Sequence, residues 1–499
     1  VLIMLMAVMM VFTMMPGMAW ATDGTEAGGN ENSASNIVAS GNCGAASNEG
    51  GAESVTWTLT SDGVLKISGN GDMEDYKLYG PWYQKRNVVT VVNAVIEEGV
   101  TSLGQRAFYL CKNMQTIQLP TSLTKIGYSA FSTCSNLKKI ELPENLTTIQ
   151  GNAFAKCTSL SSISIPDSVT NLGNQAFTDC TELKSVRFGK GLARMVGGAP
   201  SIFFSKCSKL EKFVFPKEIT AYPTLWGSGH SKAVLICYTG TEEEWNKVSF
   251  VDADKKALKD AFMVYNYKEG KSGEKETFTT QPQNAAYIQG DEAQPLTAAI
   301  GPAKEGTEYH FQWYKNNVDS IEDATPVWGS ETSGLTSTYI PGTGAENIGT
   351  TYYFCRVYSV KDGVLAETDS STTSVTVTKA TFNFTGAGSE ENPWLIQSDD
   401  DMTMLKRLVN GGESMKNKYF KMTADITLPA NWTPIGRTKN GSADIDKGKN
   451  LNAFSGTLDG DNHKLTVPKG EKPLLGYVNG ATVKNLKIYG EEINGYGLV

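Results

Sequence analysis

Cysteine is the residue type whose spacing in this sequence first suggests chemistry. Four cysteines follow one another at intervals of 23 residues, at Cys111, Cys134, Cys157 and Cys180. Thiols can form disulfides or bind metal ions, but the sequence has no C-x-x-C pair typical of a metal site. Side chains stacked in parallel close a disulfide poorly, although an exported protein would permit one. We therefore predict a column of small buried thiols, with no disulfide expected.

Other residue types that do chemistry are sparse. Three histidines occur, His230, His310 and His463, and they lie far apart. The densest acidic string, Asp459-Gly-Asp461-Asn462-His463, could suggest calcium binding or acid–base catalysis. The sequence has no nucleophile elbow, phosphate-binding loop, dinucleotide fingerprint or H-E-x-x-H motif. We therefore predict no catalytic residue, no metal site and no cofactor, in a protein that is not an enzyme.

Length and composition limit the number of domains and the class of protein that can position these residues. The chain has 499 residues, enough for about three domains. Its 20% charged and 40% hydrophobic residues are typical of a globular protein. The net charge of −8 argues against a nucleic-acid partner bound through a basic patch. Abundant glycine and aromatic residues favour a turn-rich β architecture.

Residues 1–21 have the composition of a signal peptide. Val1–Phe12 is apolar, Pro16-Gly17 interrupts the segment, and Ala19-Trp20-Ala21 fits an A-x-A cleavage site. A membrane anchor is the alternative, but the apolar stretch is short for a span of about 20 residues. The start Met and basic n-region are missing, so we expect a sequence truncated at its N-terminus. We expect an extracellular or cell-surface protein that meets the membrane only through this peptide during export.

The cysteine spacing belongs to a larger internal repeat. Phenylalanines keep the same 23-residue step at Phe108, Phe131, Phe154 and Phe177, and prolines do so at Pro120, Pro143 and Pro166. A fixed period of 20–29 residues with Leu and Ile at set offsets is typical of leucine-rich repeats. One unit carries too few large apolar side chains to offset the ordering of its own backbone. The units must therefore stack into a solenoid.

Each unit divides into three predicted parts. Residues 137–142 form a short strand, residues 146–149 a second extended piece, and residues 152–157 a compact turn that inserts Phe154 into the core. In the fifth unit Phe204 and Cys207 follow their counterparts by 27 residues, which indicates a four-residue insertion around 197–200. A further strand is predicted at Ala233–Cys237.

These residues resemble the BspA-like leucine-rich-repeat family of bacterial surface proteins. The shared pattern, [IV]-P-x-x-[LV]-x-x-I-G-x-x-A-F-x-x-C-x-x-L-x-x-[IV], is carried well by residues 100–188. The stretch around Trp57 and Pro81-Trp82-Tyr83 resembles that family's N-terminal cap, and Thr241 with Glu244 fits a helical capping box. We divide this part into a disordered linker (22–40), a β-rich N-terminal cap (41–95), repeats (96–238) and a helical C-terminal cap (239–265).

Residues 277–379, after a charged linker at 266–276, resemble an immunoglobulin-like domain. Trp313 has the place of the strand-C tryptophan, and Tyr353 lies two residues before Cys355, as in a tyrosine corner. The expected strand-B position near Leu296–Ile300 carries no cysteine. We therefore predict that Cys355 is a buried thiol.

Residues 380–499 form the third predicted part. Ser398 followed by Asp399-Asp400-Asp401 predicts a helix start. The stretch Trp432-Thr-Pro-Ile-Gly436 and the closing 495–499 resemble bacterial GLUG-type modules. That resemblance implies a right-handed parallel β-helix, truncated after Val499, and places the acidic string 459–463 at a turn where Asp, Gly and Asn serve backbone geometry.

The outward positions of the repeat strands are the candidate binding residues, because solenoids bind partners on the concave face. The alternative is ordinary solvated surface, since the columns mix charges and hydroxyls. The candidates are Thr116, Gln118, Lys139, Glu141, Ser162, Ser164, Ser185 and Arg187.

The predicted fold is mainly β and multidomain: a leucine-rich-repeat solenoid, an immunoglobulin-like β-sandwich and a partial right-handed parallel β-helix. The predicted function is adhesion or recognition without catalysis, and the resemblance implies host or matrix proteins or glycans as partners. One alternative is that these are targeting modules of a secreted polysaccharide-degrading enzyme whose catalytic part is missing from this sequence. Another is a structural stalk that extends a distal head.

Overall fold

The computed structural model describes residues 36–86, 89–192, 202–221, 233–250, 258, 261–438, 451–468 and 473–490. The predicted signal peptide, the insertion at 197–200 and the closing 495–499 motif lie outside the described residues. The described chain is mainly β. We call residues 36–265 the repeat segment, 277–379 the middle segment and 380–490 the C-terminal segment.

Two rows of short strands build the repeat segment. Its elements are β1 (Ile37–Asn42), β2 (Val55–Thr60), β3 (Val64–Gly69), β4 (Gly71–Asp72), β5 (Asn93–Ile96), β6 (Val100–Leu103), β7 (Thr116–Gln118), β8 (Lys125–Ile126), β9 (Thr148–Ile149), β10 (Ser162–Ser164), β11 (Asn171–Leu172), β12 (Ser185–Arg187), β13 (Lys212–Phe215), β14 (Leu235–Tyr238), α1 (Glu242–Trp245) and β15 (Phe262–Val264). The first row, here called the strand face, contains sheets β1-β2-β3-β5-β7 and β10-β12-β13-β14-β15, and the second row is β11-β9-β8-β6-β4. Within the repeats neighbouring strands pair in parallel, one unit apart.

A column of phenylalanine rings fills the core of the repeats. Phe154 is fully buried and stacks on Phe131 and Phe177, with 5.2 Å between ring centroids on each side. The turns that insert these rings require left-handed backbone at two non-glycine residues per unit, for example Asn152 (φ 56°) and Lys156 (φ 61°). The predicted compact turn is confirmed.

Both ends of the repeat segment differ from the prediction. Residues 37–40 fall in the predicted disordered linker, yet Ile37–Asn42 is a strand, because its backbone pairs antiparallel with β2. At the other end the capping box of Thr241 and Glu244 is confirmed, and it begins the helix Glu242–Trp245. Leu258 is also helical, while residues 251–257 and 259–260 lie outside the described residues. Within the predicted helical cap, Phe262–Val264 is instead a strand that extends the sheet beside β14.

The middle segment consists of two sheets. Its strands are β16 (Phe278–Thr280), β17 (Ala285–Ile288), β18 (Leu296–Ile300), β19 (Thr307–Asn316), β20 (Thr325–Pro326), β21 (Thr332–Ser333), β22 (Thr336–Tyr339), β23 (Gly349–Lys361), β24 (Val364–Asp369) and β25 (Thr373–Thr378). One sheet is β16-β18-β22 and the other is β17-β25-β23-β19-β20, with β21 on β19 and β24 on β23. Trp313 is fully buried and links the sheets, since its Nε1 donates to Ser337 Oγ at 2.9 Å. Cys355 is fully buried, as predicted.

In its described residues, the C-terminal segment stacks short parallel strands beside one helix. Its elements are β26 (Trp394–Ile396), α2 (Asp399–Asn410), β27 (Tyr419–Met422), β28 (Ile426–Thr427), β29 (Arg437–Thr438), β30 (Leu451–Asn452), β31 (Thr457–Asp459), β32 (Lys464–Val467), β33 (Thr482–Lys484) and β34 (Lys487–Gly490). The parallel sheets are β26-β27-β31-β33 and β28-β32-β34. The predicted helix start is confirmed, because Ser398 and Asp401 form a capping box.

Residues 266–276 are not a free linker. Lys268 N donates to Gly363 O at 2.8 Å, and Gly273 N donates to Leu365 O at 3.0 Å. Tyr358 and Val360 of the middle segment also share a buried apolar cluster with Val234 and Leu235 of the repeat segment. We call the contact of the repeat segment with residues 266–276 and with the middle segment the joint.

Candidate functional site

The strand face places four of the predicted binding residues in register. Ser162 pairs with Ser185 and Ser164 with Arg187 across β10 and β12, so these two pairs of residues are neighbours. Side chains alternate between the two faces of a strand. Ser162 and Ser164 are therefore exposed, while Ile163 between them is buried.

The exposed part of this surface covers three units. We call it the open face, and it contains Thr116, Gln118, Lys139, Glu141, Ser162 and Ser164, all of them exposed. Thr116 Oγ1 donates to Asn93 Oδ1 at 2.6 Å, one unit earlier. Hydroxyls, an amide and one charge of each sign make this surface suited to polar recognition rather than to attraction of one charge sign.

Lys139 and Glu141 differ from the prediction in their backbone. Residues 137–142 form no assigned strand in the described backbone, which divides the strand face into its two sheets. The unit keeps its place in the stack, because Ser161 N donates to Lys138 O at 3.2 Å. Lys139 Nζ and Glu141 Oε1 lie 2.8 Å apart and are largely exposed, so they pair with each other in solvent.

Arg187 has a structural contact that the sequence did not reveal. Its Nε and Nη2 donate to both carboxylate oxygens of Glu269, at 2.7 and 3.1 Å. Its Nη1 lies 2.9 Å from Asp167 Oδ1 and donates to Ile165 O at 3.0 Å. Ser185 beside it is half-buried. Residues 266–276, which hydrogen-bond to the middle segment, thus limit the strand face at this end. A binding role for Ser185 and Arg187 stays a prediction.

More ion pairs cross the joint beside Arg187. Lys212 Nζ lies 2.6 Å from Glu367 Oε1, and Lys184 Nζ lies 3.3 Å from Asp323 Oδ1. These partners are 155 and 139 residues apart in the chain. No periodic signal in the sequence connects them, so sequence reasoning could not find them.

Two titratable groups are half-buried at the joint. Burial raises the pKa of Glu211 to about 7, although nearby Arg356 opposes this shift. Burial lowers the pKa of His310 to about 4, and its ring stacks on Phe262 with 4.7 Å between centroids. The neutral forms of both side chains therefore suit the joint.

The cysteine column has a structural role in the repeats. The thiols of Cys134, Cys157 and Cys180 are buried and each donates to the carbonyl oxygen of the phenylalanine 26 residues earlier. Burial raises the pKa of Cys111 and of Cys157 to about 12. All eight cysteines are free and buried in the structure, and such thiols are poor nucleophiles.

The acidic string 459–463 forms a turn, as predicted. Asp461 and Asn462 have left-handed backbone, and Asp459 Oδ1 accepts from Asp461 N at 3.0 Å. Searching the described residues for a group of three His, Cys, Asp or Glu side chains able to hold a metal ion finds none. Within the same residues no helix has the length and apolar character to cross a membrane.

Comparison with protein families identifies the repeats. Residues 86–210 match the model of the BspA type leucine rich repeat region, in six copies. Residues 86–210 are therefore similar to leucine-rich repeats of this type. The match begins ten residues before the predicted start of the repeats at residue 96 and ends within the fifth unit.

Solved leucine-rich-repeat proteins are similar to part of the chain. The Treponema pallidum leucine-rich-repeat protein is 24% identical, covering 41% of this chain and 92% of that one, with a TM-score of 0.27. A Bacteroides ovatus leucine-rich-repeat protein is 23% identical, covering 37% and 54%, with a TM-score of 0.24. The pneumococcal vaccine antigen PcpA is 20% identical, covering 43% and 48%, with a TM-score of 0.31. This chain spans about half the length of the latter two. The search of curated proteins found no match.

Proposed function

We propose that the chain is an exported bacterial cell-surface protein that recognises proteins or glycans of a host or matrix, without catalysis. The observation that carries this proposal is the open face. Thr116, Gln118, Ser162 and Ser164 stand exposed on the strand face of a solenoid, whereas Arg187 farther along is bound to Glu269. A stack of exposed polar groups held by a buried core is suited to a partner that spans several units.

The middle segment is proposed to be an immunoglobulin-like spacer. Support comes from its two packed sheets, from buried Trp313 on β19, and from Tyr353 two residues before Cys355 on β23. A bridge from Cys355 to strand β18 is ruled out by composition, because Leu296–Ile300 contains no cysteine. The ion pairs at the joint suggest that this spacer holds the repeats at a fixed angle.

The C-terminal segment is proposed to be a GLUG-type right-handed parallel β-helix. Support comes from its parallel ladders and from buried Trp432 and Ile435 in the motif that carries the resemblance. Export is proposed through the signal peptide at residues 1–21. The BspA-type match to the repeats favours a surface location over an intracellular one.

Binding and catalysis are tested side by side on the purified chain. We expect saturable binding to at least one of immobilised fibronectin, fibrinogen, collagen or mucin, and no release of oligosaccharides from a panel of soluble polysaccharides. Oligosaccharide release would assign the chain to a secreted polysaccharide-degrading enzyme instead. Absence of binding to every immobilised protein and to mucin would contradict the proposed recognition.

A further inference from the structure

Asparagine followed by glycine is a sequence pair whose backbone can react with its own side chain. The glycine nitrogen can attack the asparagine Cγ, because glycine has no Cβ to hinder the approach. The chain has five such pairs, which begin at Asn70, Asn410, Asn440, Asn479 and Asn494. The pairs at 440 and 494 lie outside the described residues. The structure distinguishes the other three, since the reaction needs a free side-chain amide and a glycine N–H that is not held in a hydrogen bond.

The pair Asn70-Gly71 is held in a sheet. Gly71 N donates to Gly99 O at 2.9 Å, and Asn70 N donates to Ser54 O at 2.9 Å. Gly71 also pairs with Val100 in the parallel ladder between β4 and β6. Attack by Gly71 N would break its hydrogen bond and turn the backbone out of the ladder. Folding therefore protects Asn70.

The pair Asn410-Gly411 is held at the end of α2. Asn410 is only 3% exposed. Its Oδ1 accepts from Gly436 N at 2.7 Å, and its Nδ2 donates to Pro434 O at 3.1 Å. Gly411 N donates to Arg407 O at 2.7 Å. Both reacting groups are bound, so folding protects Asn410 as well.

The pair Asn479-Gly480 lies in an exposed turn before β33. Val478 forms a single bridge with Phe454, and Asn479 N donates to Phe454 O at 2.8 Å, so the chain is anchored just before the turn. Asn479 and Gly480 themselves are exposed. Gly480 has a φ of +69°, and no atom beyond its chain neighbours lies within 4 Å of the place where a Cβ would stand. Among the described residues, neither the Gly480 N–H nor the Asn479 side-chain amide has a hydrogen-bond partner.

We infer that Asn479 is a site of spontaneous covalent modification, at which the folded protein converts asparagine to aspartate and isoaspartate. Gly480 N forms a bond to Asn479 Cγ while the Cγ–Nδ2 bond breaks, and Nδ2 leaves as ammonia with the proton of the Gly480 N–H. The product is a five-membered succinimide ring. Water, the only co-reactant, then opens the ring at one of its two carbonyl carbons. Cleavage between nitrogen and Cγ gives aspartate, and cleavage between nitrogen and the main-chain carbonyl carbon gives isoaspartate.

The modification changes both the charge and the chain path at this turn. Either product replaces a neutral amide by a carboxylate. In isoaspartate the main chain also runs through Cβ and Cγ, which lengthens the turn by one atom before β33. Thr482 N donates to Gly456 O at 3.0 Å at the start of that strand. We therefore expect faster hydrogen exchange at Thr482–Lys484 in the isoaspartate form, and unchanged exchange would contradict this effect on β33.

Peptide mapping by mass spectrometry tests the inference on the whole purified chain. Samples are incubated at pH 9 in buffer and in urea, and deamidation is measured as a gain of one mass unit at each asparagine. In the folded protein we expect Asn479 to react at least about tenfold faster than Asn70 or Asn410, because one hydrogen bond that must first break costs about that factor in rate. In urea the three pairs should react at similar rates, since only folding distinguishes them. An unmodified Asn479 in folded protein, or Asn70 or Asn410 reacting as fast as Asn479, would overturn the inference.

The variant Gly480→Ala tests the attacking atom. A Cβ at this position hinders attack by the nitrogen, so deamidation of Asn479 should slow. Gly334→Ala is the matched control, because Gly334 is also exposed with a positive φ and open space around it, and it should leave the rate at Asn479 unchanged. Direct hydrolysis by water would give aspartate alone and would not depend on residue 480. A missing isoaspartate peak, or an unchanged rate in Gly480→Ala, would therefore overturn the proposed attack.

This site is separate from the open face and does not rest on the proposed function. The readout is the mass of one peptide and not the binding of a partner, so failure of this inference and failure of the proposed function are distinguishable.

Discussion

The thiol of Cys157 donates to the carbonyl oxygen of Phe131, with 3.2 Å between Sγ and O. Cys134 has the same relationship to Phe108, and Cys180 to Phe154. Each of these carbonyls also accepts the backbone N–H of the cysteine three residues later, at 3.1 or 3.2 Å. The thiol therefore adds a second hydrogen bond to the carbonyl, and this bond links one unit to the next.

Removal of one thiol should destabilise the repeats. Cys157→Ala removes the thiol donor from the carbonyl of Phe131, which keeps only the backbone N–H of Cys134, and it opens a small void. We therefore expect about 1–2 kcal/mol less free energy of unfolding. Urea denaturation followed by circular dichroism measures this. Thr170→Ala is the matched surface control, since Thr170 is exposed. Equal stability of wild type and Cys157→Ala would contradict the role of the thiol.

The cysteines should resist alkylation in the folded protein. Burial raises the pKa of Cys111 and Cys157 to about 12, so the reactive thiolate is scarce at pH 8. We expect mass spectrometry to find no iodoacetamide adduct on either residue in native protein, and full alkylation in urea without reductant. Peptides that crosslink Cys111 to Cys134 would show that the column contains a disulfide.

The contact between Arg187 and Glu269 should stabilise the joint. In a double-mutant cycle with Arg187→Met and Glu269→Gln, we expect a coupling energy of about 1 kcal/mol, because the pair is bidentate and partly buried. Lys139 and Glu141 form the matched control pair, for which exposure predicts coupling near zero. Equal coupling in the two cycles would show that Arg187 does not hold the segments together.

Glu211 should make stability depend on pH. Its pKa is raised from 4.5 to about 7 in the folded protein, so the folded state binds more protons across this window. Its contribution to the free energy of unfolding therefore falls as pH rises from about 4.5 to 7. The pKa of His310 is lowered from 6.5 to about 4. Its contribution to the free energy of unfolding therefore rises as pH rises from about 4 to 6.5.

The variant Glu211→Gln isolates the contribution of Glu211 to the pH dependence of stability. Relative to wild type, this variant should gain on the order of 1–2 kcal/mol between pH 4.5 and 7, measured by urea denaturation at four pH values. His310→Gln should show the reverse trend, losing stability relative to wild type from pH 4 to 6.5. A pH-independent difference in stability between Glu211→Gln and wild type would contradict the raised pKa of Glu211.

Periodic features were predictable from sequence, whereas contacts between distant residues were not. The 23-residue step of Phe154 and Cys157 fixed the stacking and register of the repeats, because each unit repeats the same packing. Ser398 with Asp401 likewise marked the start of α2 through local hydrogen bonds. Two contacts, Arg187–Glu269 and Asp291–Arg407, depend on how whole segments pack. A local sequence pattern does not carry that information. The prediction of a helical C-terminal cap was partly wrong, because Phe262–Val264 pairs with β14 as a strand.

The central claim is that the open face recognises a partner. Its most direct test is the affinity of three proteins for the ligand found in the binding screen: wild type, Gln118→Ala/Glu141→Ala/Ser164→Ala on the open face, and Glu144→Ala/Thr170→Ala/Asn171→Ala as the matched control. The control residues are exposed, and Asn171 lies on the second row of strands. We predict that the open-face variant binds at least about tenfold more weakly and that the control binds like wild type. Equal affinity of all three proteins would contradict recognition through the open face.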